Sequence, residues 1–251
     1  MTVTAAVKLS VIVPVYNEKN TVKKIIEDIR AVPVFKEILV VDDGSTDGTH
    51  AILMAQYAKD RDVKLLFHEK NSGKGSALRT GIAAVSGDIV IVQDADLEYD
   101  PKDFLPILAK FNEPGVDVVY GTRFRGMGPL NFIRRWFANR FLGAHHEIKQ
   151  FHLFFGVQLL NLLANVLYGA GITDEATCYK AFRRQVLQQI RLRCRGFEFC
   201  PEVTAKVRKI GCKIHEVPIS YHPRTTRERK KLNWGHGVEA IFTLIKYRFV
   251  D

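Results

Sequence analysis

The chain lacks the marks of several protein classes. Its 4 cysteines, Cys178, Cys194, Cys200 and Cys212, include no Cys-x-x-Cys pair. That removes the familiar zinc and dithiol spacings and points to reduced thiols in a cytosolic setting. No charged leader precedes the first apolar run, which Pro14 interrupts, so no secretory signal is expected. No stretch reads as a simple membrane span. The nearest, 151–171, carries Gln158, Asn161 and Asn165 three and four residues apart, on one helix face. Such a stripe suits a helix lying on a membrane or docked against a core. Internal repeats, low-complexity tracts and recognised nucleic-acid modules are absent as well. Acids are the scarcer charge, 27 Asp and Glu against 37 Lys and Arg, giving a formal net charge of +10. An excess of this kind calls for an anionic partner: nucleic acid, a phosphorylated small molecule or an acidic membrane surface.

What is present begins with alternation. Residues 8–16, 36–43, 63–69, 88–94 and 116–122 are short apolar runs of β character. Amphipathic stretches separate them. Val22, Ile25, Ile26 and Ile29 share one face of a helix starting near Thr21; a small-residue helix over 75–87 is closed by Gly87; Asp100 caps a helix with Pro101 at its first position. Strands separated by single helices predict a mostly parallel sheet covered on both faces, with ligands at the carboxyl ends of the strands. The loops NEKN, DDGSTDGT, EKNSGKGS, DADLEYD and RFRG then share one edge. Beyond them, 123–149 holds Arg123, Arg125, Arg134, Arg135, Arg140 and Lys149 against the single acid Glu147. A strand over 177–182, a helix near 201–210, a strand over 213–221, the basic run HPRTTRERKK and a helix from about Asn233 to Arg248 follow. No linker divides the chain, which reads as one domain over 1–251 with halves 1–125 and 126–251.

The stretch IVIVQDADLEYDP, 89–101, ends an apolar strand with Asp94, Asp96 and Glu98 at alternate positions. Close carboxylates repel unless a cation sits between them. Oxygen-only ligands suit Mg²⁺ or Mn²⁺, which keep positions open for phosphate oxygens. The acidic loop therefore reads as a divalent metal site holding a diphosphate; a solvated turn with a helix cap is the plainer alternative for an isolated Asp-x-Asp. Context favours the first. Asp42 and Asp43 end another strand on the same edge, where they can hydrogen-bond a nucleoside base and ribose. Lys74, between two glycines at a helix start, suits an anion. Its loop is not a P-loop, because His68 stands at the first glycine position and Gly75 follows the lysine.

Taken in order, VIVPVYNE, VVDDGSTDGT, GKGSALRTG, GDIVIVQDADLEYDP and YGTRFRG resemble glycosyltransferase family 2, and within it the dolichol-phosphate mannosyltransferase-like, polyprenyl-phosphate glycosyltransferase branch. The likeness continues through TDEATCYKAFRRQVL and GFEFCPEVTAKVRKIGCKIHEVPISY to the basic segment from Arg224; 126–155 is the divergent part. The resemblance implies an α/β, GT-A (Rossmann-like) fold: a mostly parallel sheet flanked by helices, with C-terminal acceptor-side helices and a short second sheet. It implies a nucleotide-sugar donor, GDP-mannose or UDP-glucose, a polyprenyl or dolichyl phosphate acceptor, and Mg²⁺ or Mn²⁺. By motif position Pro14, Tyr16, Glu18 and Asp43 would hold the nucleoside, and Asp94, Asp96 and Glu98 the metal. Arg123, with Arg134 or Arg135, would approach the acceptor phosphate, and Arg224 and Lys230 would do so from a loop. Asp174 is a further acceptor-side position, equally readable as a structural turn carboxylate. The chain departs from the branch at Glu98, where Gln is frequent, and at Arg227 and Arg229, where Gly and Ser are usual.

These residues imply a simple chemistry. A phosphate monoester, with a second pKa near ~6, is already a nucleophile at neutral pH, so no strong general base is needed. The metal and arginines bring two anions together for in-line attack, which inverts the anomeric carbon. Lacking spanning helices, the chain is expected on the cytoplasmic face of a membrane, attached peripherally through 130–171 and the basic loops or by a separate membrane subunit. The rivals are a glycosyltransferase with a soluble or polysaccharide acceptor and a basic nucleic-acid-binding protein. The second is disfavoured because the basic residues surround acidic loops; no nucleic-acid partner is expected.

Overall fold

The structure is a computed structural model that describes residues 7–124, 151–223 and 234–250, with the backbone alone for 151–155 and Trp234. Four β-rich runs become parallel strands: β1 (Leu9–Val15), β2 (Lys36–Asp42), β3 (Val63–Phe67) and β4 (Ile89–Val92). Three helices connect them, α1 (Val22–Ala31), α2 (Thr49–Tyr57) and α3 (Lys74–Ala84). α1 buries Val22, Ile25, Ile26 and Ile29, the four apolar positions of its sequence pattern. Asp100 caps a 3₁₀ turn over Pro101–Asp103 by accepting from the Lys102 N–H, and α4 (Phe104–Lys110) continues it to β5 (Val118–Thr122). After these come α5 (Phe151–Tyr168), β6 (Lys180–Arg183), α6 (Arg184–Gln189), α7 (Phe199–Lys209), β7 (Ile214–Pro218) and α8 (Trp234–Phe249).

Among the described residues all seven strands form one sheet in the order β3-β2-β1-β4-β6-β5-β7. β6 alone runs antiparallel, between β4 and β5. The two late strands, expected as a short second sheet, thus complete the main one. The central strands are apolar on both sides (Val11, Ile12, Val13, Ile38, Leu39 and Val40 are fully buried), as a sheet covered on both faces requires. Pro14 fits the central strand β1 because the ladder to β4 ends at Ile12↔Val92, before its missing N–H is needed. Gly87 does not close α3. The helix ends at Ala84 with Val85 extended, and Gly87 donates its N–H to Ser10 Oγ at 2.9 Å, where a Cβ would lie 2.6 Å from that oxygen.

The topology gathers the loops. The parallel strands β1, β2, β3, β4, β5 and β7 leave the sheet at one edge, and antiparallel β6 enters there, bringing residues 174–179 with it. α5 and α8 pack on each other and on α7. Asn161 and Asn165 of the polar stripe donate to the carbonyls of Thr173 (2.5 Å) and Ile172 (2.9 Å), and Asn161 Oδ1 accepts from the Glu175 N–H (2.7 Å). The stripe therefore docks the helix and holds the loop that enters β6. Among the described residues no helix is long and apolar enough to cross a membrane.

Candidate active site

The first two loops interlock. The Asn17 N–H donates to Ser45 Oγ (2.9 Å), Asn17 Oδ1 accepts from the Thr46 N–H (2.8 Å), and the Glu18 N–H donates to Thr49 Oγ1 (3.0 Å). Pro14, Tyr16 and Glu18 lie half-buried along this seam. Asp42 accepts from the Ser45 N–H at 3.0 Å and faces a cavity of about 380 Å³ whose lining includes His50, Phe67 and His68. The His50 and Phe67 rings, 4.5 Å apart, give it an aromatic wall, and its volume suits a nucleobase.

Asp43 works internally. Its carboxylate accepts from the N–H groups of Ser72 (3.0 Å) and Gly73 (2.7 Å) and pairs with His68 Nδ1 (2.6 Å), clamping the third loop to the end of β2. Gly73 is required there twice over: its φ is +94°, and a Cβ would fall 2.3 Å from the Arg195 carbonyl oxygen. This clamp places Lys74 at the start of α3, its Nζ 2.5 Å from Asp94 Oδ1 and 5.8 Å from the centre of the Phe197 ring. Burial alone would lower the Lys74 pKa, but the Asp94 carboxylate outweighs it and holds the ammonium above its ordinary value.

The acidic loop turns sharply at Leu97, whose φ of 63° is unusual for a branched side chain. Asp96 Oδ1 accepts from the Glu98 N–H (3.2 Å), and Glu98 Oε2 accepts from the Tyr221 hydroxyl (2.9 Å). Asp94, Asp96 and Glu98 therefore each have a separate partner, and no three metal-ligating side chains converge among the described residues. Asp94 and Asp96 still suit Mg²⁺ or Mn²⁺, which is commonly held by one or two carboxylates with phosphate oxygens completing the shell. The Lys74 ammonium on Asp94 shows that this carboxylate accepts a cation.

Arg123, at the end of β5, forms a bidentate pair with Asp174: Nε to Oδ2 at 2.7 Å and Nη2 to Oδ1 at 2.8 Å. Asp174 is fully buried, and its loop is fixed by Glu216, which accepts from the N–H groups of Thr173 (2.8 Å) and Asp174 (3.2 Å). The guanidinium also lies 4.9 Å from the Tyr221 ring centre and 5.4 Å from that of Phe124. Tyr221 thus touches both Glu98 and Arg123, joining the acidic loop to the cation; burial, then Glu98, pushes its hydroxyl up to about 12. Arg134, Arg135, Arg224 and Lys230 lie outside the described residues.

Sequence reasoning missed Tyr221 and Glu216. Tyr221 had one available signal, its place just after a strand at the carboxyl edge and just before the basic run. Glu175, beside Asp174, was also missed. It is fully buried, with no donor in normal hydrogen-bond geometry to either carboxylate oxygen, and burial pushes it up to about 7 despite the nearby Lys180.

The profile of the family described as Glycosyl transferase family 2 matches residues 10–191. Among curated proteins, glycosyltransferase AglJ of Haloferax volcanii is 29% identical over 215 residues, 85% of this chain and 63% of its own length. Dodecaprenyl-phosphate galacturonate synthase of Rhizobium johnstonii is 25% identical over 250 residues, 96% of this chain and 65% of its own. The chain thus spans just under two thirds of these relatives. Among solved structures, glucosyl-3-phosphoglycerate synthase from Mycobacterium tuberculosis with UDP aligns at a TM-score of 0.70 and 22% identity, covering 98% of this chain and 82% of that one. Its complex with Mn²⁺, UDP and glucosyl-3-phosphoglycerate aligns at 0.68 and 23%, over the same shares.

Proposed function

The chain belongs to glycosyl transferase family 2 and has the GT-A fold, and on that premise we propose that it transfers a hexose from a nucleotide-sugar to a polyprenyl phosphate, inverting the anomeric carbon. The observation that carries this reading is the Arg123–Asp174 pair. A guanidinium fixed along one edge by both oxygens of a buried carboxylate, with the Tyr221 ring centre 4.9 Å away, is a positioned cation next to the acidic loop whose remaining edge can take an anion. The donor side is supported by the cavity at Asp42, His50 and Phe67 for the base, and by Lys74 with Asp94 and Asp96 for the diphosphate. A bound Mg²⁺ or Mn²⁺ would offset charge on the departing nucleoside diphosphate. The protein's own work is positional: Lys74 and Arg123 hold two anions that otherwise repel, and a phosphate acceptor needs no base to attack. The dodecaprenyl-phosphate relative supports a lipid-linked acceptor; GDP-mannose and UDP-glucose are the donors of choice. Arg134 or Arg135, with Arg224 and Lys230, are proposed to complete the acceptor side. Such an acceptor places the protein at a membrane surface, by its own surface or through a membrane subunit.

A second reading, transfer to a soluble phosphorylated acceptor, is favoured by the neighbour that holds glucosyl-3-phosphoglycerate, since Arg123 would serve any phosphate. Nucleoside diphosphate release separates the two. With GDP-mannose or UDP-glucose in Mn²⁺, release is expected only when a short polyprenyl phosphate is present, and EDTA is expected to stop it. Release stimulated by a soluble phosphate and indifferent to the lipid would select the second reading.

A further inference from the structure

The described residues carry large exposed apolar side chains in scattered single positions and in one concentration, on α5 and α8. On α5 these are Leu159, Leu162 and Val166, the last 71% exposed. On α8 they are Val238, Phe242, Ile245 and Phe249, with Phe242 63% and Phe249 81% exposed. At 100° per residue each set falls within about 60° of its helix circumference. Both helices pack on α7, and their opposite sides are buried: Ala164 and Asn161 on α5, Ala240 and Leu244 on α8. They are also joined to each other, the Tyr168 hydroxyl donating to the Leu244 carbonyl. The two stripes therefore face outward together. Isolated exposed hydrophobes need no explanation, but a joined patch on adjacent helices does.

Charge indicates the occupant. Lys246 and Arg248, both exposed, lie about 70–90° to either side of the α8 stripe. That is where long basic side chains sit when a helix lies in a headgroup layer with its apolar face down. The one acid on α8, Glu239, lies seven residues before Lys246, about two turns back on the same flank, so the bases outnumber it at the C-terminal end of the stripe. We propose that the outward faces of α5 and α8 are a lipid-contacting surface that lays the protein on an anionic bilayer. The inference rests on the polyprenyl-phosphate reading and gives it a geometry. The opposite side of α5 holds, through Asn161 and Asn165, the loop that carries Asp174 and hence Arg123. One helix thickness, about 10–12 Å, then separates the lipid surface from the loop that fixes the anion site.

Flotation with vesicles tests it. Wild-type protein is expected to float with phosphatidylcholine vesicles containing about a third phosphatidylglycerol, and weakly with phosphatidylcholine alone. The double variant Phe242→Ser/Phe249→Ser, and separately Leu162→Gln, are expected to lose about tenfold in partitioning. Circular dichroism and melting should stay at wild-type values, because these side chains are exposed. Turnover of a water-soluble short-chain polyprenyl phosphate should be unchanged in the variants, and turnover of a long-chain one in vesicles should fall with partitioning. The inference is overturned if wild type does not float, if the variants float as well as wild type, or if light scattering shows a dimer that Phe242→Ser dissociates. Face-dependent flotation without lipid-dependent nucleotide release would keep this surface and remove the acceptor reading instead.

Discussion

Arg123 and Glu175 sit close together at the entry to β6 and respond oppositely to burial. Burial would lower the Arg123 pKa, but Tyr99 and the two oxygens of Asp174 outweigh it, and the guanidinium stays charged. A lysine cannot reproduce that fork. Arg123→Lys is expected to lower kcat/KM for the acceptor by about 100-fold while leaving donor affinity, measured by nucleoside diphosphate titration, near wild type; an equal loss of both would move Arg123 to the donor side. Glu175 has no such partner, and burial raises it from 4.5 to about 7. Between those values the folded protein holds a proton that the unfolded chain has released. Stability should therefore fall as pH rises through that window, by up to about 3 kcal/mol at about 1.4 kcal/mol per pKa unit. Melting curves at pH 5 and pH 8 should show this slope in wild type and its loss in Glu175→Gln. Parallel slopes in both proteins would mean that the carboxyl is not shifted.

At the scale of elements, the third loop shows how a backbone requirement positions a side chain. Lys74 reaches Asp94 because Gly73 turns at a positive φ hard against Arg195. Gly73→Ala is expected to cost about 2 kcal/mol or more, lowering the melting temperature and weakening donor binding together; a variant as stable as wild type would show that the 195–196 backbone yields. The sequence held the elements before β6 clearly, since apolar periodicity and capping residues are local: Asp100 and the α1 stripe appear as their patterns indicate. The places of Asp42 and Asp94 at the ends of apolar strands, and of Lys74 between glycines at a helix start, were readable for the same reason. What was not readable was the partner of each group. That Asp43 would clamp Ser72 and Gly73, or that Tyr221 would reach Glu98 across 123 positions, depends on which strands become neighbours, and periodicity carries no such information. The short second sheet failed likewise, because β6 inserts between two strands made much earlier in the chain.

For the whole molecule, that insertion ties the halves together. β5 belongs to the first half, yet its only sheet neighbours are β6 and β7. A fragment of residues 1–125 would leave Val118, Val119 and Tyr120, all fully buried, without a ladder on either side. It is expected to aggregate or to melt without a cooperative transition by circular dichroism; a sharp transition with retained nucleotide binding would show two independent units. The same strand also fixes a gauge. The acidic loop leaves from β4 and Arg123 from β5, and β6 stands between them, so the two anchors are two strand spacings apart, about 10 Å. In the proposed reaction the hexose would be handed across a gap whose width is set by main-chain hydrogen bonds and not by adjustable side chains. A change of sugar can then be accommodated only along the strand direction, in the loops above the sheet, which leaves the separation of donor and acceptor phosphates the same for every donor the site accepts.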